Sequence, residues 1–168
     1  MAITYNNLYL DIRQQLHRAG IEAATLEARE LVCFGTGKSR EELSRDGGLY
    51  ASPELEARVR NLVDRHLAGE PVAYLIGEWE FYGLPLDISR DVLIPRPDTE
   101  TVVEEIISKA KTENFRTAVE IGAGSGCISV SIAKYAGIDC TATDINPAAV
   151  DGSKRNAEKN GVGDRKAF

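Results

Sequence analysis

The chain has 168 residues, a formal net charge of −6 and a pI of about 5.0. Its 43% hydrophobic and 27% charged residues are ordinary for a globular protein, and its length permits one or two domains. The negative charge argues against direct nucleic-acid binding, and no apolar run predicts a signal peptide or a membrane span. We therefore expect a cytoplasmic protein with neither nucleic acid nor membrane as a partner.

Residues 1–76 predict a small helical domain. Four apolar residues at helical spacing mark the inward face of a first helix: Tyr5, Leu8, Ile12 and Leu16. Gly20 should end this helix. A second helix should end near Gly35, and its apolar positions are Leu26, Leu31 and Val32.

Two further helices are indicated by their N-terminal caps. Ser39, with Glu42 three residues later, is typical of a capping box for a short third helix. Ser52 before Pro53 starts a fourth helix, which should end at Gly69. Its inward residues should be Leu55, Val59, Leu62 and Val63.

The histidines and cysteines give no sign of a metal site. His17 and His66 each stand alone on a helix, so we interpret them as packing or surface residues without a nearby partner. Cys33, Cys127 and Cys140 are odd in number and lack Cys-x-x-Cys spacing, which argues against a disulfide framework and against zinc. The helical domain shows no grouping of residues typical of a catalytic site, so we interpret it as a recognition or packing module.

Residues 77–97 predict a β-hairpin that links the helical domain to the C-terminal half of the chain. Apolar and polar residues alternate on both sides of Gly83, as expected for two strands. Trp79 and Phe81 alternate with acidic residues in the first strand. The apolar positions of the second strand are Leu84, Leu86 and Ile88.

The segment Glu120–Gly126 is a glycine loop between a short apolar run and a helical pattern. Glycines let the backbone approach a ligand, and a following helix N-terminus presents N–H groups to it. The spacing is Gly-x-Gly-x-Gly, and Cys127 stands where a dinucleotide-binding motif requires its last glycine. The loop therefore predicts a nucleotide-type cofactor other than a dinucleotide.

Asp144 ends the next predicted strand and lies 22 positions (144 − 122) after Gly122. This is near the offset at which a carboxylate meets ribose hydroxyls in βαβ units. The alternative is that Asp144 caps the following helix. Asn146 suits that cap better, because Pro147 follows at the first helical position.

Several segments resemble HemK-type N5-glutamine methyltransferases of peptide chain release factors. They are Gly69–Gly77, Glu80–Gly83, Val92–Glu100, Glu120–Gly126 and Asp144–Pro147. The run Pro-Arg-Pro-Asp-Thr-Glu at 95–100 is the most specific of them. The resemblance implies an enzyme that transfers a methyl group from S-adenosylmethionine to the glutamine of a release factor's Gly-Gly-Gln motif.

The resemblance also implies which residues contact the cofactor. The glycine loop and the strand end supply Gly122, Ala123, Gly124, Ser125, Gly126 and Asp144, and the resemblance adds Phe81, Arg96 and Thr99. Arg96 could equally form a structural ion pair. Asp98 or Thr99 could equally cap the helix that follows them.

No catalytic residue is assigned, because the family's Asn-Pro-Pro-Tyr segment does not occur in this sequence. The resemblance implies that this segment lies beyond Phe168. We therefore expect a truncated chain that is inactive by itself. The alternatives are a non-catalytic release-factor-binding module and a class I methyltransferase for another substrate.

The expected fold class is α/β, with three parts in chain order. A helical bundle is followed by the hairpin, and residues 98–168 should form the first part of a class I, Rossmann-like methyltransferase sheet. We expect this truncated sheet to hold two strands, with the residues up to Phe168 leading into a third.

Overall fold

The computed structural model describes residues 2–167, which form two compact units divided between Ile76 and Gly77. The first unit is helical, and the second combines helices with two small sheets. The protein is therefore of the α/β class, as the sequence predicts. No helix among the described residues is both long enough and apolar enough to cross a membrane.

Two expectations concern residues outside the described range. Phe168 is the last residue of the predicted methyltransferase segment, and it lies outside the described residues. The Asn-Pro-Pro-Tyr segment expected beyond Phe168 lies outside them as well. The position of the catalytic segment therefore stays a prediction.

Side-chain caps mark the start of several helices of the first unit. The helices of this unit are α1 Tyr5–Arg18, α2 Ala24–Thr36, α3 Arg40–Arg45, α4 Pro53–Leu67 and α5 Val72–Ile76. The predicted capping box is confirmed: the Ser39 hydroxyl accepts from Glu42 N at 3.1 Å and the Glu42 carboxylate accepts from Ser39 N at 2.8 Å. Ser52 likewise caps α4, accepting from Leu55 N at 3.3 Å.

The core of this unit follows the predicted helical faces. Every predicted inward residue of α1 is buried, and α2 contributes Leu31 and Val32. Leu26 is instead 45% exposed, although it lies within α2. The short α5 was not foreseen, since five residues are too few to show a helical period.

The prediction that the second helix ends near Gly35 is confirmed, because α2 ends at Thr36. Gly35 itself lies inside the helix, and Gly37 is the left-handed C-cap. A Cβ on Gly35 would come within 2.5 Å of Val59 Cγ2, so the glycine lets α2 and α4 approach closely. Its function is packing rather than termination.

His66 has partners that the sequence did not suggest, so its interpretation as an unpartnered residue was wrong. Its Nδ1 lies 2.9 Å from the Glu70 carbonyl oxygen and its Nε2 lies 3.0 Å from Glu27 Oε2. The second contact joins the end of α4 to α2 and is long-range in sequence, so helical periodicity could not reveal it.

The second unit begins with the predicted hairpin. Strands β1 (Glu78–Phe81) and β2 (Leu84–Asp87) pair antiparallel, with Phe81 opposite Leu84. The two-residue turn needs positive φ at both positions: 51° at Tyr82 and 73° at Gly83. The non-glycine residue is held there because Tyr82 N–H donates to Glu100 Oε1 at 2.9 Å and the Tyr82 carbonyl accepts from the Tyr135 hydroxyl at 3.1 Å.

The remaining elements are α6 Glu100–Glu113, β3 Thr117–Ile121, α7 Cys127–Ala136, β4 Asp139–Thr143, α8 Pro147–Lys159 and β5 Lys166–Ala167. The three strands are parallel in the order β3-β4-β5. Two strands were predicted, with the residues up to Phe168 leading into a third. The third strand already begins at Lys166, and its two residues are too few to give an alternating pattern. Parallel pairing puts the carboxyl ends of β3 and β4 side by side, which brings the glycine loop next to Asp144.

The helix α6 is not capped by Asp98 or Thr99, contrary to one of the two interpretations of these residues. Pro97–Thr99 form a single 3₁₀ turn, and Thr99 makes no side-chain capping bond. Thr99 N–H donates to the Arg96 carbonyl at 3.0 Å, so a backbone turn starts the helix instead. Proline at the first position of the turn favours this start through its fixed φ.

Candidate cofactor site

The glycine loop connects β3 to α7, as predicted, and its glycines are needed for backbone conformation. Gly122, Gly124 and Gly126 have φ of 75°, 55° and 76°, which side-chain-bearing residues rarely adopt. A Cβ on Gly122 or Gly124 would meet no heavy atom within 4 Å, so the space beside these residues is open. The loop therefore exposes backbone to a ligand without steric hindrance.

Asp144 holds the glycine loop from the neighbouring strand end. Its Oδ2 accepts from Gly124 N at 2.8 Å, and its Oδ1 accepts from Asn146 N at 2.9 Å. The N–H of Asn146, followed by that of Gly124, lowers the pKa of the Asp144 carboxyl, so this group is ionised at neutral pH. The strand end thus presents a fixed negative charge beside the loop.

Asn146 caps α8 as predicted. Its Oδ1 accepts from Ala148 N at 3.0 Å, and Pro147 occupies the first helical position. Its Nδ2 donates to the Asp91 carbonyl at 3.2 Å. The capping function therefore belongs to Asn146 and leaves the Asp144 side chain to the loop.

Glu120 acts at the start of α7, where the N-cap residue Gly126 has no side chain. Its Oε2 accepts from Ser129 N at 3.2 Å. A carboxylate at a helix N-terminus is favourable because it satisfies an orphan N–H and complements the helix dipole. Glu120 therefore satisfies one N–H group at the start of α7 and places a second acidic side chain beside the loop.

The remaining predicted residues lie in different environments. Ala123 and Ser125 are buried within the loop. Phe81 is only 1% exposed and packs in the core of its unit. Arg96 is exposed, and within residues 2–167 no carboxylate forms a salt bridge with it, so the structural ion pair is not found. Thr99 is half-buried at the start of α6.

Sequence reasoning missed Asn156, which is fully buried in α8. Its amide reaches both the hairpin and the glycine loop through Asp87 and Ser125. The sequence held an indication of this buried residue, because small and amide residues recur on one face of α8 and at its C-cap. These are Ala149, Ser153, Asn156, Ala157 and Asn160, all of them buried.

Cys127 is the first residue of α7, and burial raises the pKa of its thiol to about 11. We expect alkylation by iodoacetamide at pH 8 to be about a hundred-fold slower than in the unfolded chain, whose thiol pKa is near 9, because the thiolate is the nucleophile. Peptide mapping of the labelled chain, with a urea-unfolded control, measures the rate. Since the folded pKa is raised, folding stability should fall as pH rises from about 9 to about 11. Rapid labelling of folded Cys127 at pH 8 would contradict the burial argument.

Comparison with known proteins agrees with this architecture. A family model described as the PrmC N-terminal domain matches residues 7–77, and one described as ribosomal protein L11 methyltransferase (PrmA) matches residues 97–168. The second match covers the three-stranded sheet and the glycine loop. The α/β part of the chain is therefore methyltransferase-like.

The curated proteins similar to this chain include release factor glutamine methyltransferases. Release factor glutamine methyltransferases of Geobacter sulfurreducens, Bordetella pertussis and Dictyoglomus turgidum are 37%, 41% and 32% identical to this chain. The alignments cover 89%, 82% and 100% of the chain and 52%, 51% and 59% of the relatives. The chain is similar to release factor glutamine methyltransferases over most of its own length, and it spans about half the length of these curated relatives.

Proposed function

We propose that the whole protein, of which this chain is all or part, methylates the glutamine side-chain amide in the Gly-Gly-Gln motif of peptide chain release factors. We further propose that the glycine loop and Asp144 bind its cofactor, S-adenosylmethionine, and that residues 98–168 form the first part of a class I methyltransferase domain. The observation that carries the proposal is the loop of three left-handed glycines beside an ionised strand-end carboxylate.

The residues at the site fit S-adenosylmethionine. Gly122 and Gly124 leave room for the methionine end. Asp144 uses one lone pair of each oxygen on backbone N–H groups, so each oxygen can still accept from a ribose hydroxyl. Ile145, fully exposed after Asp144, offers an apolar surface to the adenine. The charges of Glu120 and Asp144 suit a cofactor with cationic sulfonium and ammonium groups.

When bound, S-adenosylmethionine supplies an electrophilic methyl group. A glutamine amide nitrogen is a weak nucleophile, because its lone pair is delocalised into the carbonyl. Catalysis then depends on holding the nitrogen in line with the methyl group and on hydrogen bonds that favour loss of this delocalisation. The residues of the glycine loop and the strand end account for cofactor binding, and we assign none of them a catalytic role.

Release factors are favoured over ribosomal protein L11 as the substrate. The L11 methyltransferase model matches only residues 97–168, the part that carries the cofactor loop. The release factor relatives also align with the helical unit, which a separate PrmC model matches. We infer that residues 1–76 form a substrate-recognition domain. A release-factor-binding module without catalysis remains the second candidate, because this helical unit is the part suited to binding a partner.

Two measurements test the proposal. Titration calorimetry of this chain with S-adenosylhomocysteine should show one site, and absence of heat at millimolar ligand would contradict cofactor binding. The whole protein should transfer labelled methyl from S-adenosylmethionine to a release factor but not to its Gly-Gly-Asn variant. Labelling of L11 instead would contradict the substrate, and release-factor binding without methyl transfer would favour the non-catalytic module.

A further inference from the structure

Asn156 makes three hydrogen bonds that use both of its amide hydrogens and its oxygen. Oδ1 accepts from Asp87 N at 2.7 Å, and Nδ2 donates to the Asp87 carbonyl at 3.0 Å and to the Ser125 carbonyl at 2.9 Å. The amide orientation is determined by these partners. If oxygen and nitrogen were exchanged, two carbonyls would face an oxygen and an N–H would face an NH₂ group.

The two partners of Asn156 belong to different parts of the unit. Asp87 is the last residue of β2, and its backbone pairs with the Asn156 amide as it would with another strand. Ser125 lies between the second and third glycines of the loop and is itself buried. Asn156 therefore connects the hairpin and the glycine loop through a single side chain in α8.

Lys159, the last residue of α8, and its C-cap Asn160 fix the hairpin without reaching the loop. Asn160 Nδ2 donates to the Pro85 carbonyl at 3.0 Å and to the Asn156 carbonyl at 2.9 Å. Lys159 forms salt bridges with Glu78 and Asp87. These contacts anchor the hairpin to α8, and none of them involves the glycine loop.

We propose that Asn156 is a positioning residue of the cofactor site, which holds the Ser125 carbonyl and so keeps the glycine loop in its ligand-binding conformation. Asp144 restrains the same loop at the adjacent Gly124 N–H. Glycine loops lose much conformational freedom when they become ordered. A loop that is already ordered before binding therefore lowers the entropic cost of ligand binding. The effect on affinity rests on the proposed function, whereas the effect on loop order does not.

The test compares Asn156→Asp with the matched variant Asn160→Asp. Aspartate keeps the shape of asparagine but replaces the donating NH₂ group with an oxygen. Asn156→Asp should speed amide hydrogen exchange of residues 122–127 in the ligand-free chain by at least about ten-fold and weaken S-adenosylhomocysteine binding by a similar factor. Asn160→Asp removes the same group one turn later, so it should loosen the hairpin while leaving loop exchange and affinity within about two-fold of the parent.

Each outcome has a defined meaning. Unchanged loop exchange in a folded Asn156→Asp chain, or equal effects of the two variants, would overturn the positioning role. If the parent chain binds no S-adenosylhomocysteine, the proposed function fails, but loop exchange still decides the positioning role. Should circular dichroism show that Asn156→Asp is unfolded, Asn156→Ser is used, and the same difference of about ten-fold in loop exchange applies to it.

Discussion

Gly35→Ala should destabilise the helical unit by about 1–3 kcal/mol, although alanine is the better helix former by about 1 kcal/mol. The new Cβ would lie 2.5 Å from Val59 Cγ2, 3.2 Å from Val59 Cα and 3.3 Å from Leu62 Cδ1. A Val59 rotamer change could relieve the first contact, but the backbone contact requires α2 and α4 to separate. Urea unfolding followed by circular dichroism, with hydrogen exchange of residues 24–36, measures the effect.

A double-mutant cycle with Val59 tests whether the close helix contact causes the destabilisation expected for Gly35→Ala. Val59→Ala alone should be destabilising because it leaves a cavity, but in combination with Gly35→Ala the removed methyl groups make room for the new Cβ. The double variant should therefore be more stable than the sum of the two single effects predicts, by at least about 0.5 kcal/mol. Strict additivity would show that the close approach at Gly35 is not the reason for the loss.

Gly152→Ala is the matched control, because Gly152 also lies in a helix and is buried. The nearest heavy atom to its added Cβ would be a guanidinium nitrogen of Arg155 at 3.7 Å, an ordinary contact. This substitution should be neutral or stabilising by up to about 1 kcal/mol through helix propensity. A loss as large as that of Gly35→Ala would indicate a general intolerance of alanine.

Asp144→Ala should weaken S-adenosylhomocysteine binding about ten- to a hundred-fold, since hydrogen bonds to a charged group contribute about 1.5–3 kcal/mol. The variant removes the proposed ribose contact and also leaves the Gly124 and Asn146 N–H groups without their acceptor. The fold should persist, because the side chain lies at a strand end outside the apolar core. Calorimetric titration and thermal melts of the same samples measure both effects.

Asn146→Ala is the control for Asp144→Ala. It should cost on the order of 1 kcal/mol of stability by removing the α8 cap, while affinity stays nearly unchanged. If Asn146→Ala loses the ligand and Asp144→Ala does not, the ribose contact is wrongly placed.

The pH dependence gives an independent check on Asp144. Backbone N–H groups lower the pKa of its carboxyl, so its contribution to stability is present above the ordinary carboxyl pKa of about 4 and is lost as pH falls below it. Asp144→Asn should therefore reduce the acid sensitivity of loop exchange. Identical pH profiles for the parent and the variant would contradict this assignment.

The sequence alone predicted several features that depend on neighbours within one helical turn or one strand. The caps at Ser39, Ser52 and Asn146 are contacts between residues two or three apart, so the local sequence predicts them. The glycine loop could also be predicted from the sequence, because the left-handed backbone at its three glycines excludes most other residue types. Helical periodicity likewise predicted the buried face of α1.

Tertiary structure decided the features that join distant segments. Asn156 accepts a hydrogen bond from Asp87, 69 positions away in the chain. The local sequence around a helical asparagine does not indicate so distant a partner. Gly35 resembles a helix terminator until the position of Val59 is known. The two residues of β5 become a strand only because β4 offers its hydrogen-bonding edge. Local sequence therefore determines caps, turns and helical faces, whereas buried polar pairing and close helix contacts depend on which surfaces the fold brings together.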